Sequence, residues 1–459
     1  MSTRRAYEAP TLTTLPFLAY GKHAARELIA ADDPDDEEIK PKDLVRTYGS
    51  PLYVVSESRL RDDFRRFSDS FTRPNLRTHV AYSVKTNYLP AICMILKSEG
   101  AWAEVVSTME YELARSLGFP GEQIIYNGPN KDSHTLRRAV AEGAIINLDG
   151  FDELAKVEAI ARSSNRRARI GLRMSFRHHG LGWTKFGFDD DNGESQLALT
   201  RIAASRWLQL ELLHNHCGTF VLLHDLYAES VRRLIELGKR ARSLGLEPTM
   251  VDVGGGFPSV NTIKPDFDVP GGSKREGDFW KAYADEICEP ILKAKDVFGG
   301  HPTLILEPGR AVVDGCTILL TTIVAKKGST NGKPAVIVDA GVNLMPTAVF
   351  YDHPVSRASE TVDGLSQPLG YDVFGPLCMQ TDILRRGVNA SHLEVGDIIT
   401  MHHVGAYCHS QSMQFIETRP ATVLVGPDGH SVIRQRETWR DVFALDHIPK
   451  RLRDKDCDF

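Results

Sequence analysis

Four short apolar runs rich in β-branched residues each end on a residue able to do chemistry. Residues 78–83 lead into Ala81-Tyr82-Ser83-Val84-Lys85-Thr86-Asn87, and residues 208–213 into His214-Asn215-His216-Cys217-Gly218-Thr219. Residues 249–253 open Asp252-Val253-Gly254-Gly255-Gly256-Phe257-Pro258, and residues 303–306 open Glu307-Pro308-Gly309-Arg310. A desolvated lysine amine loses its proton readily and attacks a carbonyl to give a Schiff base. Three glycines without Cβ atoms let backbone N–H groups approach a phosphate. Each motif alone has a plainer explanation: a solvated lysine capping a strand, a tight turn without dinucleotide spacing, a surface ion pair, a structural histidine. His214 and His216 in alternation raise the thought of a metal, but no acidic partner or third histidine occurs at ligand spacing, so no metal is expected. Their shared position after a strand is what joins the four.

That position is set by the elements around them. From Leu52 onward short β-rich runs alternate with helical patterns, as in a parallel sheet built of βα units. Strands are expected at residues 78–83, 102–105, 124–125, 145–148, 168–174, 208–213, 249–253 and 303–306, with helices at 89–98, 109–117 and 228–244 among those between them. About eight strands in this span fit an α/β fold of the (β/α)8 TIM-barrel type, whose catalytic groups gather at the C-terminal mouth. A doubly wound open sheet is the second choice. After Gly309 the pattern changes to strands without long helices, at residues 317–324, 335–339, 397–401, 421–425 and 431–434. A second, β-rich and β-barrel-like domain is expected there, with residues 52–55 adding a strand to it. The division reads 58–310 for the barrel and 1–57 with 311–459 for the β-rich domain. The acidic stretch 32–38 reads as a solvated linker or helix face.

Composition narrows the function. A hydrophobic fraction of 42% supports a large core, and a net charge of −5 gives no reason to expect nucleic acid or an anionic membrane as partner. The most apolar stretch, residues 311–325, is too short to cross a bilayer and carries Asp314. Seven cysteines, odd in number and without a Cys-x-x-Cys pair, read as free thiols of a cytoplasmic protein.

Taken together, in this order along the chain, the motifs resemble the fold-type III pyridoxal-phosphate decarboxylases, the group of diaminopimelate, ornithine and arginine decarboxylases, across residues 49–425. The resemblance implies pyridoxal 5'-phosphate as cofactor and Lys85 as its Schiff-base lysine. It implies that His216 stacks on the ring and that Gly254, Gly255, Gly256, Gly309 and Arg310 cradle the phosphate. Thr219 falls where the family has a serine near the phosphate, and Tyr407, in Gly405-Ala406-Tyr407, matches a tyrosine that reaches it from the second domain. Glu307 would sit against the pyridine nitrogen and keep it protonated, which favours loss of CO2. Barrel-type alanine racemases place an arginine there, so a racemase or epimerase is the less favoured reading. Cys378, in Phe374-Gly375-Pro376-Leu377-Cys378-Met379, matches a cysteine contributed by the neighbouring subunit, which implies a homodimer with shared active sites and a thiol able to deliver a proton.

Substrate selection departs from the family pattern. Diaminopimelate decarboxylases follow the cysteine with glutamate and serine, and ornithine decarboxylases with aspartate; here Met379 and Gln380 follow. The arginine that helps bind the distal carboxylate of diaminopimelate is matched by Thr347. Tyr351-Asp352-His353 resembles the segment where ornithine decarboxylases place an aspartate against the distal amine. The mixture points to a diamino acid or an amino-acid conjugate, such as those of siderophore or peptide-antibiotic pathways, whose decarboxylases this chain resembles at residues 411–415. Diaminopimelate decarboxylation is the first alternative, and a cofactor-binding protein without turnover is a third class.

Overall fold

The computed structural model describes residues 39–177, 185–259, 261–264, 279–328, 334–357, 369–390 and 392–453. The acidic stretch 32–38 and Cys457 lie outside the described residues.

Eight parallel strands close on themselves: Arg77–Ser83, Trp102–Val105, Ile124–Tyr126, Ile145–Leu148, Ala168–Ser175, Leu208–His214, Met250–Asp252 and Thr303–Leu306. Closure is visible in the register, where Thr303 pairs with Arg77 and Leu306 with Val80. The expectation of a (β/α)8 barrel is therefore met, with expected strand ends within two residues of those observed. Helices fall between strands where the sequence supplies their caps. The Ser56 Oγ accepts from Arg59 N at the start of Glu57–Ser70, Ser107 Oγ from Glu110 N at Thr108–Ser116, and Asp132 from His134 and Thr135 at Ser133–Glu142. That last helix stops at Gly143, which takes φ 77° where a side chain would be strained.

Strand periodicity organises the barrel interior. Ala81, Ile125, Ile145, Leu212 and Ile305 form a separate buried apolar cluster, with Trp102 and Met250 packed against it. Two residues further along each of those strands, hence on the same face, stand Ser83, Asn127, Asn147, His214, Glu307, Glu104 and Asp252; all are buried. The fifth strand follows the same rule with Gly171 and then Arg173. The barrel thus has an apolar floor and a ring of polar side chains at its C-terminal mouth.

Of the remaining strands Thr262–Ile263 pairs with Tyr351–Asp352 and Phe188–Asp189 with the fifth barrel strand, while the other nine form one sheet. Leu52–Ser56 enters it from the N-terminal side, antiparallel to Thr317–Gly328 and parallel to Ala421–Gly426. Its other members include Leu369–Phe374 and Ile383–Ala390, which sequence periodicity did not reveal. Hydrogen bonds fasten this sheet's loops to the barrel mouth: Asn87 Nδ2 donates to Gly405 O (3.0 Å), Tyr407 N to Thr86 O (2.9 Å) and Ser410 Oγ to Thr86 O (3.0 Å). Among the described residues no helix is long and apolar enough to cross a membrane.

Candidate active site

Lys85 follows the first barrel strand in a 3-10 turn, Val84–Thr86, that turns its side chain into the mouth. Its Nζ donates to Glu104 Oε2 (2.6 Å) and Ser83 Oγ (2.7 Å), and 37% of the side chain remains exposed. Burial works against the ammonium form, yet the adjoining Glu104 and nearby Tyr407 more than offset it and hold the amine above the usual lysine range. Burial likewise opposes ionisation of Glu104, but the Lys85 cation and its hydrogen bonds keep that carboxylate below the ordinary glutamate value. The amine is therefore stored as an ion pair at the mouth.

Glu307 lies on the other side of the first strand, at the end of the eighth. Asn127 Nδ2 donates to Glu104 Oε1 (3.0 Å) and to Glu307 Oε1 (2.6 Å), so one amide bridges the two acids. Burial, then the charges of Asp252 and Glu104, push the Glu307 pKa well up. Burial also pushes Asp252 up to about 7. Burial comes first in both shifts, and the two carboxyls interact closely enough that one proton held between them would relieve a pair of buried negative charges.

His216 is packed on the glycine turn and accepts from Gly255 N at Nδ1 (3.0 Å). Burial and the cations Arg173 and Lys85 depress it to about 3, so its ring is neutral at physiological pH. A Cβ on Gly254 would stand 2.7 Å from His216 Nδ1, one on Gly255 2.3 Å from Glu307 O, and one on Gly256 2.4 Å from Gly218 O. Gly254 and Gly256 also take φ of 67° and 88°. The turn tolerates no side chain at these positions, which leaves backbone facing the mouth.

Arg310 begins a short helix, Arg310–Val313, and is buried beneath three aromatic rings: Tyr351 (4.4 Å), Tyr407 (5.2 Å) and Phe220 (5.7 Å). Tyr351 and Tyr407 come from the second domain. Asp314 holds this corner, accepting from Asn261 Nδ2 (2.7 Å), Ala406 N (3.1 Å), Arg310 Nη1 (3.4 Å) and Ser259 Oγ. Gly309 packs on Thr86, whose Oγ1 a Cβ would meet at 2.0 Å. Thr219 is half-buried beside Phe220.

Lys85, His216, the three glycines, Glu307, Gly309, Arg310 and Tyr407 are thus drawn into connected surroundings, while the distal set is scattered. The Thr347 hydroxyl is buried against His353 Nε2 (3.0 Å) and Cys408 Sγ (2.9 Å), and Asp352 is ion-paired with Arg385. Cys378 and Met379 are exposed, at the tip of a loop wound around buried Asp382, which accepts from Leu377 N (2.7 Å) and Val342 N (2.8 Å). Sequence reading missed Glu104, Asn127, Asn147, Asp252 as a site residue, Arg385 and Asp314. It also set metal chemistry aside for want of an acid near the histidines, and the fold brings Glu307 to His214 (3.7 Å) with His216 in the same cluster. Those groups belong to the mouth just described.

A barrel mouth with a protected lysine, a glycine turn beside a buried arginine, a neutral imidazole and a proton-bearing acid has the donor set of a pyridoxal-phosphate enzyme. The fit is supported by atoms that await a partner: Thr86 Oγ1, Arg310 Nε and His214 Nε2 are buried without a hydrogen bond among the described residues. Residues 57–314, more than half the chain, match the family described as pyridoxal-dependent decarboxylase, pyridoxal binding domain. The chain belongs to this family of fold-type III pyridoxal-phosphate-dependent amino-acid decarboxylases, and its cofactor is pyridoxal 5'-phosphate. It is similar to the diaminopimelate decarboxylase of Methanothermobacter thermautotrophicus (30% identity, 89% of this chain and 94% of that one) and to that of Archaeoglobus fulgidus (29%, 91% and 97%). Among solved structures it resembles the diaminopimelate decarboxylase of Methanocaldococcus jannaschii in complex with L-lysine, at TM-score 0.81, 26% identity, and 89% and 95% coverage.

Proposed function

We propose that the protein removes the α-carboxylate of a diamino acid or amino-acid conjugate, with Lys85 as the covalent anchor of the cofactor aldehyde. The observation that carries this reading is the Lys85 amine and the proton-holding Glu307 sharing one mouth through Asn127. Bound there, pyridoxal phosphate supplies the electron sink into which the bond to CO2 empties. The chain's own groups set the conditions for it. Burial raises the proton affinity of Glu307 while its Oε1 accepts from Asn127, so a ring nitrogen meeting this carboxyl would take up its proton and pair with the carboxylate left behind. His216 offers a flat, uncharged ring face. The backbone of residues 254–256, Gly309, Arg310, Thr219 and Tyr407 suit the phosphate. In this reading residues 58–310 are the cofactor-binding barrel, and residues 1–57 with 311–459 complete the active site. All six described cysteines are unpaired, which supports the reducing cytoplasm as its compartment.

The functional unit is a homodimer. Exposed Cys378 and Met379 lie on the loop whose Leu377 packs on Gly341, and exposed Met413, Phe415 and Ile416 on the loop whose Met413 N donates to Asn343 O (3.0 Å), so two apolar loops are anchored on residues 341–343. An apolar patch of that kind, carrying a reactive residue on a braced loop, supports a partner's active site as its destination. Mixing inactive Lys85→Ala with inactive Cys378→Ala is expected to restore about a quarter of wild-type activity, because a random mixture of subunits regenerates one native site in half of the dimers. Mixtures as inactive as their parents would show that each site is made by one chain.

Diaminopimelate decarboxylation is the second reading, favoured by the ion pair of Asp352 with Arg385. A lone distal ammonium would have to displace a guanidinium from Asp352, whereas a distal group carrying both charges satisfies both residues. The Thr347 hydroxyl is engaged by His353 and Cys408 and Tyr351 lies over Arg310, so both would meet substrate mainly through their shape. A mass-spectrometric screen of amino acids of both hands, diaminopimelate isomers and conjugates for loss of CO2 tests the function; racemised substrate without CO2 would overturn it. In the same screen Met379→Asp is expected to raise kcat/KM for substrates ending in an amine about tenfold, the worth of one charge-assisted hydrogen bond. An unchanged profile would take Met379 out of the pocket.

A further inference from the structure

The polar ring contains a device that the reaction so far leaves without a role. Asn127 donates both of its amide hydrogens to carboxylates, one to Glu104 beside Lys85 and one to Glu307. Asn147 Nδ2 in turn donates to Asn127 Oδ1 (2.7 Å). This third bond fixes which end of the Asn127 amide is which. In the flipped orientation its oxygen would face two acids, and two NH2 groups would oppose each other. Asn147 can reach this position because the residue paired with it on the fifth strand is Gly171, where a Cβ would lie 1.7 Å from Asn147 Oδ1.

We propose that Asn127, oriented by Asn147 in the space left by Gly171, is a positioning residue that sets the direction of Glu307 toward the cofactor ring nitrogen and locks it to the Glu104–Lys85 pair. The physical consequence is geometric. With Oε1 of Glu307 tied to Asn127, Oε2 is the oxygen turned to meet the ring, and the carboxyl cannot rotate without breaking a 2.6 Å hydrogen bond. The same amide holds Glu104, so the two acids that serve the two reacting ends of the cofactor move as one unit across the second, third and eighth strands. The inference rests on the assignment of Glu307 to the ring nitrogen and adds the residues that aim it.

The experiment compares dissociation constants of the full chain for pyridoxal phosphate and for its analogue with carbon in place of the ring nitrogen. Wild type is expected to prefer the natural cofactor by roughly tenfold or more, as a hydrogen bond to a charged group commands. Glu307→Gln is expected to reduce the preference to that of a neutral hydrogen bond by removing the acid. Asn127→Leu and Gly171→Ala are expected to bring the ratio near that of Glu307→Gln while the acid itself is still present. Asn127→Ser, which leaves a small void rather than a new contact, reads the same ratio if the leucine variant fails to fold. A wild-type ratio retained in Asn127→Ser or Asn127→Leu overturns the proposal and leaves the role of Glu307 standing. Equal ratios in wild type and Glu307→Gln overturn the assignment of Glu307, and the positioning role with it.

Discussion

Lys85→Ala is expected to be purified without the visible absorption band of lysine-bound pyridoxal phosphate and to lose at least about a thousandfold in kcat, some 4 kcal/mol of transition-state stabilisation. Two contacts make this loss specific. Among the described residues the amine is the one cation ion-paired with Glu104, and it is partly exposed where Glu104 is buried, which leaves it open to the cofactor aldehyde. Removing it also leaves Glu104 buried without its counter-ion, and the variant's thermal midpoint should fall. Combining Lys85→Ala with Glu104→Gln should recover the midpoint but neither the band nor the turnover. That split separates damage to the fold from damage to the chemistry. A coloured, active Lys85→Ala protein would require another amine to carry the cofactor.

The same residues show what the sequence makes legible. The strands of the barrel are short runs of buried branched residues, and burial on both faces makes them stand out from the helices between them. Lys85, His216, the glycines and Glu307 were findable because they end such runs. Glu104, Asn127, Asn147 and Arg173 lie within or directly after the last residues of strands, but each is a single polar residue whose partners are contributed by other strands. The signal that would have found them is the period-two step from an apolar floor residue to a polar mouth residue: Trp102 to Glu104, Ile125 to Asn127, Ile145 to Asn147. Asp314 was read only as a charge interrupting an apolar stretch, because the four donors it serves lie at distant points in the chain or on the next helical turn. Ile383–Ala390 escaped notice because it is an edge strand in which, of the residues facing the core, Leu384 alone is fully buried. The pairing of Asp352 with Arg385 joins two such poorly patterned segments, and no spacing rule connects them.

Glu307→Gln should have opposite effects on turnover and on stability. Turnover is expected to fall about a hundredfold or more, because a glutamine amide cannot keep a pyridine nitrogen protonated and the electron sink weakens. The cofactor-free chain, by contrast, should become more stable at neutral pH. In the native state the Asp252 and Glu307 carboxyls titrate above their usual range, with Asp252 near 7, whereas in the unfolded chain both ionise near 4. Between those limits the folded form binds more protons than the unfolded form, so stability is present below the unfolded values and is lost as pH rises toward 7 and beyond. The amide that replaces Glu307 supplies an N–H to Asp252 in place of the shared proton, and its oxygen still accepts from Asn127. Thermal midpoints of cofactor-free protein between pH 5 and 8 should therefore decline in wild type and stay nearly level in Glu307→Gln. Parallel declines in the two proteins would mean that the Asp252–Glu307 pair holds no extra proton, and the proton that Glu307 is expected to give the ring nitrogen would have to come from elsewhere.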